Sequence, residues 1–167
     1  MKKTLFIFMM LSVWIWIYGQ CFAQSKKGKI GISGSLQSLQ TIFSIPYWYA
    51  DNKVMAPSFG VVTVSDQMTD VALGAAFRIY SSTEKLCPNF GLRVITFIFI
   101  PKDGDMLIDY VAGIFGGSEY FFDEKFSIGG ELQLNTSFSD EHSGRFQNPD
   151  GYTINTGMAI NATFYFK

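Results

Sequence analysis

Apolar and polar residues alternate along most of the chain after about residue 29. The pattern is most regular from Tyr152 to Phe166, where Ile154, Met158 and Ile160 share one mostly apolar face. The opposite face of this segment is small and uncharged, with Thr, Asn, Gly, Ala and Tyr side chains. A period of two over this length predicts a β-strand, because successive side chains of a strand point to opposite faces.

The same pattern predicts seven further strands and one domain, and no helical period follows the N-terminal segment. The eight predicted strands lie at about residues 29–37, 41–50, 57–65, 71–80, 89–100, 107–121, 126–135 and 152–166. Pro46 fits the second strand poorly, since proline cannot donate to a sheet ladder. Predicted short turns at 50–56, 81–88 and 122–125 fall at one end of the sheet, and connections at 101–106 and 139–151 fall at the other.

The polar faces indicate which side of the sheet meets water. Ten polar-face positions in the last two strands include one charged residue, Glu131, whereas a soluble surface strand usually carries several charges. Small and amide side chains suit the packed interior of an eight-stranded barrel. The prediction is therefore all-β: an eight-stranded antiparallel up-and-down transmembrane barrel with its apolar face in lipid. The alternative is a soluble β-barrel or sandwich, which would hold a small apolar ligand inside.

The N-terminus has the pattern of a secretory signal peptide. Lys2 and Lys3 precede an apolar run from Thr4 to Tyr18, and Cys21-Phe22-Ala23 supplies small residues for cleavage after Ala23. This divides the chain into a signal peptide, 1–23, and a barrel domain, 24–167. The alternatives are a membrane anchor, for which the run is short, and a lipoprotein acylated at Cys21.

Composition adds three constraints. Removing Lys2 and Lys3 from 13 basic residues leaves 11 against 14 acidic ones, a net charge of −3 without a basic cluster, which argues against nucleic acid. After cleavage Cys87 is the remaining cysteine, so no internal disulfide is expected. The 17 Phe and 8 Tyr fit the aromatic girdles of membrane barrels.

The chain resembles the small outer-membrane barrels of Gram-negative bacteria, the OmpA/OmpX-like, porin-type superfamily. The resemblance covers nearly all of the chain after residue 23. It rests on the segments Tyr-Trp-Tyr-Ala-Asp-Asn at 47–52, Ala-Phe-Arg-Ile-Tyr at 76–80 and Ala-Thr-Phe-Tyr-Phe at 162–166. It implies an outer-membrane location, contact with lipid and lipopolysaccharide, and no cofactor. Phe164 and Phe166 would act as a C-terminal signal to the barrel-assembly machinery, although Lys167 follows them here.

Four charged residues are predicted to point into the barrel on neighbouring strands: Arg78, Arg93, Glu119 and Glu131. Charges inside a packed barrel must be paired, because unpaired burial is very costly. The cluster is therefore predicted to be a structural plug of ion pairs, with a gated ion path as the alternative. Asp109 also faces inward, near the opposite end, with no evident partner.

The loop at 139–151 contains the candidate surface contacts His142, Arg145 and Phe146. Arg and aromatic residues often anchor ligands, so this loop predicts a contact with lipopolysaccharide or another ligand, or a loop folded over the barrel mouth. His142 and Ser143 suggest a lipid-modifying hydrolase as a further alternative, but adjacent residues in an extended chain point apart. A lone histidine predicts no metal site. The prediction is a non-enzymatic structural or surface-interaction protein, with a narrow pore as its main alternative.

Overall fold

The computed structural model describes residues 26–37, 41–82 and 84–166. The predicted signal peptide and Lys167 lie outside these residues. The described chain is a succession of strands: β1 (Ile30–Gln37), β2 (Thr41–Ser44), β3 (Tyr47–Ala50), β4 (Lys53–Val64), β5 (Met68–Tyr80), β6 (Leu86–Pro101), β7 (Leu107–Phe121), β8 (Phe126–Phe138) and β9 (Tyr152–Phe166). Within these ranges, no helix is long and apolar enough to span a membrane.

The strands form one antiparallel sheet that closes on itself. Each strand from β4 to β9 pairs with its neighbour in the sequence. The closing seam joins β1 to β9, from Ile30 opposite Phe166 to Gln37 opposite Ala159. Closure removes the free edges of the sheet, as in up-and-down barrels. The all-β antiparallel barrel predicted from the alternation is confirmed.

β2 and β3 together form a single strand of the barrel, so nine segments make eight barrel strands. Their pairing with β4 keeps one register, with Ser44 opposite Ser58 and Tyr47 opposite Met55. Pro46 lies in the gap between them, and Pro57 lies in the facing stretch of β4. Neither proline has an N–H to donate, so the ladder is interrupted without a shift of register. The predicted second strand is thus divided at Pro46, the residue that fits its pattern poorly.

Four predicted strand limits were wrong by three or four residues. The fourth barrel strand begins at Met68 rather than 71, and the seventh ends at Phe138 rather than 135. The other two limits lie at prolines. The third barrel strand begins at Lys53 rather than 57, so the predicted turn at 50–56 shrinks to Asp51 and Asn52. The fifth begins at Leu86 rather than 89. In each case a proline lies inside the observed strand, Pro57 in β4 and Pro88 in β6. The same proline lies at or next to the predicted start of that strand. Pairing with neighbouring strands outweighs the local preference of proline for strand ends.

The outer face of the barrel is an apolar belt. Hydrophobic side chains at alternate positions of the strands are exposed or half-buried on this face, and Leu36, Leu92, Ile114, Leu132 and Met158 are among the exposed ones. The inner face of β8 is polar and buried, from Ser127 to Ser137, as its alternation predicts. The barrel is thus apolar outside, the reverse of a soluble ligand-binding barrel.

Candidate functional site

The barrel interior is filled by three layers of side chains between its two ends. We call the end with the turns at 51–52, 81–85 and 122–125 the turn end, and the opposite one the loop end. At the turn end lies an apolar cluster of Trp48, Val54, Ala56, Tyr80, Cys87, Phe121 and Tyr165. At the loop end lies a second one of Ile42, Ala72, Ile95, Phe97 and Val111. The interior therefore contains the predicted small and amide side chains together with apolar clusters at both ends, which the prediction did not include.

An ion pair crosses the middle layer. Arg78 Nη2 lies 3.3 Å from Glu131 Oε2, and both side chains are mostly buried. Gln133 Nε2 donates to the other oxygen, Glu131 Oε1, at 2.8 Å. Gly91, opposite Arg78 on β6, leaves the space for this layer, since a Cβ there would meet the Phe115 ring at 2.5 Å. Both oxygens of the Glu131 carboxylate therefore have a partner.

The other two predicted members of the charge cluster have different partners. Arg93 Nη1 donates to Gln37 Oε1 at 3.0 Å and forms no ion pair with a described carboxylate. Glu119 accepts hydrogen bonds from three hydroxyl groups, those of Tyr80 at 2.5 Å, Tyr165 at 3.1 Å and Ser127. A single four-residue cluster of ion pairs does not form.

The pairing register explains why the four charges separate. Arg78 stands opposite Gly91, so Arg93 lies two residues further towards the loop end. Glu131 stands opposite Gly117, so Glu119 lies two residues further towards the turn end. Along the ladder Arg78 is level with Gln133 and so already offset by two residues from Glu131. The pairs Arg93–Glu131 and Arg78–Glu119 are each offset by four residues, about 13 Å along the strands, which exceeds the reach of a direct contact.

The long loop folds into the loop end of the barrel. Arg145 bridges two strands, with Nη2 at 2.6 Å from Asp70 Oδ1 and Nε at 3.1 Å from Asp109 Oδ2. Ser143 Oγ donates to Asp109 Oδ2 at 2.7 Å. The Phe146 ring packs edge-on against Phe97, with centroids 6.2 Å apart. These contacts give Asp109 its partner and turn Arg145 and Phe146 away from the surface, where ligand contacts were predicted.

His142 remains outside this plug. Its side chain is 74% exposed, and Nδ1 lies 3.4 Å from Oε1 of the equally exposed Glu141. Ser143, its neighbour, bonds to Asp109 instead. The residues of the loop therefore do not assemble a serine–histidine pair. No group of three or more potential His, Cys, Asp or Glu metal ligands occurs among the residues described.

Empty space inside the barrel is small. One cavity of about 30 Å³ lies beside Arg78 and Glu131, and another of about 50 Å³ lies beneath Phe146. Gln37 and Arg93 line both of them. Each volume suits one or a few water molecules rather than a ligand.

Phe164 and Phe166 point outward at the turn end of β9, where their rings meet edge-on at 5.4 Å. Both are exposed on the apolar belt, opposite Ile32 and Ile30 of β1. Their position at the seam follows from the terminal strand, which runs from Tyr152 to Phe166 as predicted. The role of these two rings as an assembly signal stays a prediction.

Comparison with known proteins identifies a related fold. No family model and no curated sequence matches the chain. A solved structure, the N-terminal β-barrel domain of Pseudomonas aeruginosa OprF, is similar with a TM-score of 0.54. The fold is that of a closed eight-stranded barrel. The match covers 84% of this chain and 98% of that one at 19% sequence identity, so the likeness concerns the fold alone.

Sequence reasoning missed three residues that build the interior. Asp70 was left outside the predicted fourth strand, although it holds Arg145. Trp48 was given no interior role within the predicted second strand, but it is fully buried and stacks on Tyr80 at 4.6 Å. Lys26 was given no role beyond the start of the chain after cleavage, but it lies over the Phe121 ring. The alternation offered a signal for Trp48, which shares the inward phase of Pro46 and Ala50, and for Asp70, which shares that of Ala72 and Arg78.

Proposed function

We propose that this chain is a closed, non-enzymatic barrel of the outer membrane with a structural or surface-interaction role. The observation that carries the proposal is the apolar belt around a barrel whose interior is plugged at both ends. Side chains such as Leu132 and Ile114 are more than half exposed, and burial in lipid would remove them from water. The similarity of the fold to the OprF barrel domain supports the same location.

The plugged interior supports a structural role over transport. The apolar clusters at the two ends enclose the Arg78–Glu131 pair, and the two internal cavities are no larger than a few water molecules. An eight-stranded barrel has an interior only wide enough to be filled by side chains. We infer that the resting barrel does not conduct ions.

A narrow pore is the second candidate, and one observation favours it. Gln37 and Arg93 line both internal cavities, so a modest movement of these two side chains would join them. The resulting path would still be blocked by Phe146 at the loop end and Trp48 at the turn end. A pore therefore requires at least two rearrangements, whereas the closed barrel requires none.

Two further candidates receive less support. A lipid-modifying hydrolase needs a base next to a nucleophile, and Ser143 bonds to Asp109 rather than to His142. A soluble barrel would carry its apolar side chains inside, whereas here they form the outer belt.

The proposal includes partners and a route to the membrane. A signal peptide cleaved after Ala23 would direct export, and Phe164 and Phe166 would present the last strand to the assembly machinery. Lipid would cover the belt. Contact with lipopolysaccharide would involve exposed groups of the outer loops, such as His142 and Lys102, since Arg145 is held by Asp70 and Asp109.

Electrical recording separates the closed barrel from the pore. Purified protein, residues 24–167, is refolded in detergent and added to planar lipid bilayers in concentrated potassium chloride. We expect no unitary conductance steps, because both ends of the interior are filled. Arg145→Ala with Phe146→Ala serves as a comparison, since it opens the loop end but leaves the Trp48 cluster in place. Regular steps of one size from the unaltered protein would overturn the closed barrel and favour the pore.

A further inference from the structure

A cavity of about 300 Å³ opens at the turn end of the barrel, separate from the two internal ones. Trp48, Phe121 and Tyr165 line it on the barrel side, and residues of the turns line it on the outer side. Binding sites for small molecules are mostly apolar concavities that start at about this size, with a few polar groups to orient the ligand. The cavity therefore has the dimensions and the walls of a small-molecule site.

Lys26 places a buried cation in this cavity. The residue is only 8% exposed, and its Nζ lies 3.1 Å from the centroid of the Phe121 ring and 3.7 Å from Cys87 Sγ. No carboxylate of the described residues lies within 4 Å of Nζ, the limit for an ion pair. Burial lowers the pKa of Lys26, and the neighbouring Cys87 and Glu119 offset this in part.

The backbone fixes this arrangement. Gly28 N donates to Trp48 O at 2.7 Å, and Trp48 N donates to Lys29 O at 2.9 Å. Lys29 N in turn donates to Lys26 O at 3.1 Å. The segment that carries Lys26 is thus attached to β3, so Lys26 and the Trp48 side of the aromatic wall are positioned together.

Two acidic residues of the cavity are already engaged. Glu124 Oε2 lies 3.6 Å from Lys29 Nζ. Asp123 Oδ1 accepts hydrogen bonds from the backbone N–H groups of Lys125 and Phe126, which lower the pKa of this carboxyl group. These carboxylates stabilise the rim, and neither pairs with Lys26. An anion supplied from outside would meet a desolvated ammonium group that is hydrogen-bonded to Cys87 Sγ and attracted by the Glu119 carboxylate only from beyond ion-pair distance.

We infer that the turn end of the barrel binds a small carboxylate with an aromatic or short apolar body. The carboxylate would pair with Lys26 Nζ, and the apolar body would lie against Trp48, Phe121 and Tyr165. A neutral molecule of the same shape would gain the aromatic contacts but lose the charge-assisted hydrogen bond, which is the stronger of the two. The site thus selects on charge as well as shape.

Trp48 reports directly on binding. Trp14 and Trp16 lie before residue 24, so the chain from 24 to 167 contains Trp48 as its single tryptophan. Benzoate is titrated into refolded protein in detergent, with benzamide as the neutral probe of equal shape. We expect a saturable change in tryptophan fluorescence with benzoate, and an affinity about tenfold or more weaker for benzamide.

Two lysine variants complete the test. Lys26→Met removes the buried charge and keeps a similar apolar stem, so benzoate affinity should fall about tenfold or more towards that of benzamide. Lys27→Met, an exposed neighbour, should leave it unchanged. Heat-dependent mobility on gels checks that each variant has folded. Equal binding of benzoate and benzamide, no saturable signal, or an unaltered affinity in folded Lys26→Met would each overturn the inference.

Discussion

Replacing Glu131 with Gln is expected to lower the free energy of unfolding by about 3–5 kcal/mol. The substitution keeps the shape of the side chain but leaves the buried Arg78 guanidinium without its anion. Arg93, which also lies within the electrostatic influence of Glu131, loses the same compensation. Unfolding by urea in lipid vesicles, followed by the fluorescence of Trp48, measures the change.

Two variants distinguish the loss of the Arg78–Glu131 ion pair from a destabilisation that any Glu-to-Gln substitution would cause. Arg78→Met combined with Glu131→Gln should recover much of the stability, because the guanidinium that contacts Glu131 is removed with it and only the more distant Arg93 loses compensation. Glu141→Gln removes a carboxylate that is 72% exposed, and it should change the free energy of unfolding by no more than about 0.5 kcal/mol. A Glu131→Gln protein as stable as the unaltered one would show that the pair is not buried as described.

Replacing Leu132 with Arg is expected to cost about 2–4 kcal/mol when the protein is folded in a lipid bilayer. Leu132 lies at the middle of β8, and its side chain is 65% exposed on the apolar belt. A charge there would lie at the centre of the hydrocarbon layer. In a soluble protein, the same change at so exposed a position would be nearly neutral. The free energy of unfolding in vesicles measures the difference.

Tyr152→Arg is the matched control for this prediction. Tyr152 is equally exposed, at 64%, but it begins β9 at the loop end, where the membrane–water interface is expected. Depth decides the cost of a charge on a membrane barrel, so this change should cost only about 0–1 kcal/mol. Equal costs at the two positions would mean that the belt does not cross a bilayer.

Strand periodicity made most of the barrel predictable from sequence. The terminal strand, Tyr152–Phe166, has the predicted limits because its alternation is unbroken. The limit at residue 57 failed for a non-local reason. Pro57 lies in the stretch of β4 that faces the gap containing Pro46, so both missing donors fall in one short part of the ladder. This placement of the two prolines depends on the register between two strands, which cannot be read from the sequence of either strand alone.

The sequence predicts which side chains of the candidate site point into the barrel, but not which of them contact one another. A period of two sends Arg78 and Glu131 inward, and it sends Asp109 inward as well. The choice of partners depends on the stagger between strands, which places Glu119 with three hydroxyl groups instead of an arginine. Arg145 lies in a loop without a period, so its contact with Asp109 had no signal in the sequence.

Gel mobility tests the central claim, a closed barrel in the outer membrane, most directly. Cells expressing the full chain are fractionated, and the outer-membrane fraction is run in detergent with and without boiling. We predict that the protein is in that fraction and that its band shifts on boiling, since a closed hydrogen-bonded barrel resists detergent until it is heated. A protein that stays in the periplasmic fraction, with a band unaffected by boiling, would contradict the account.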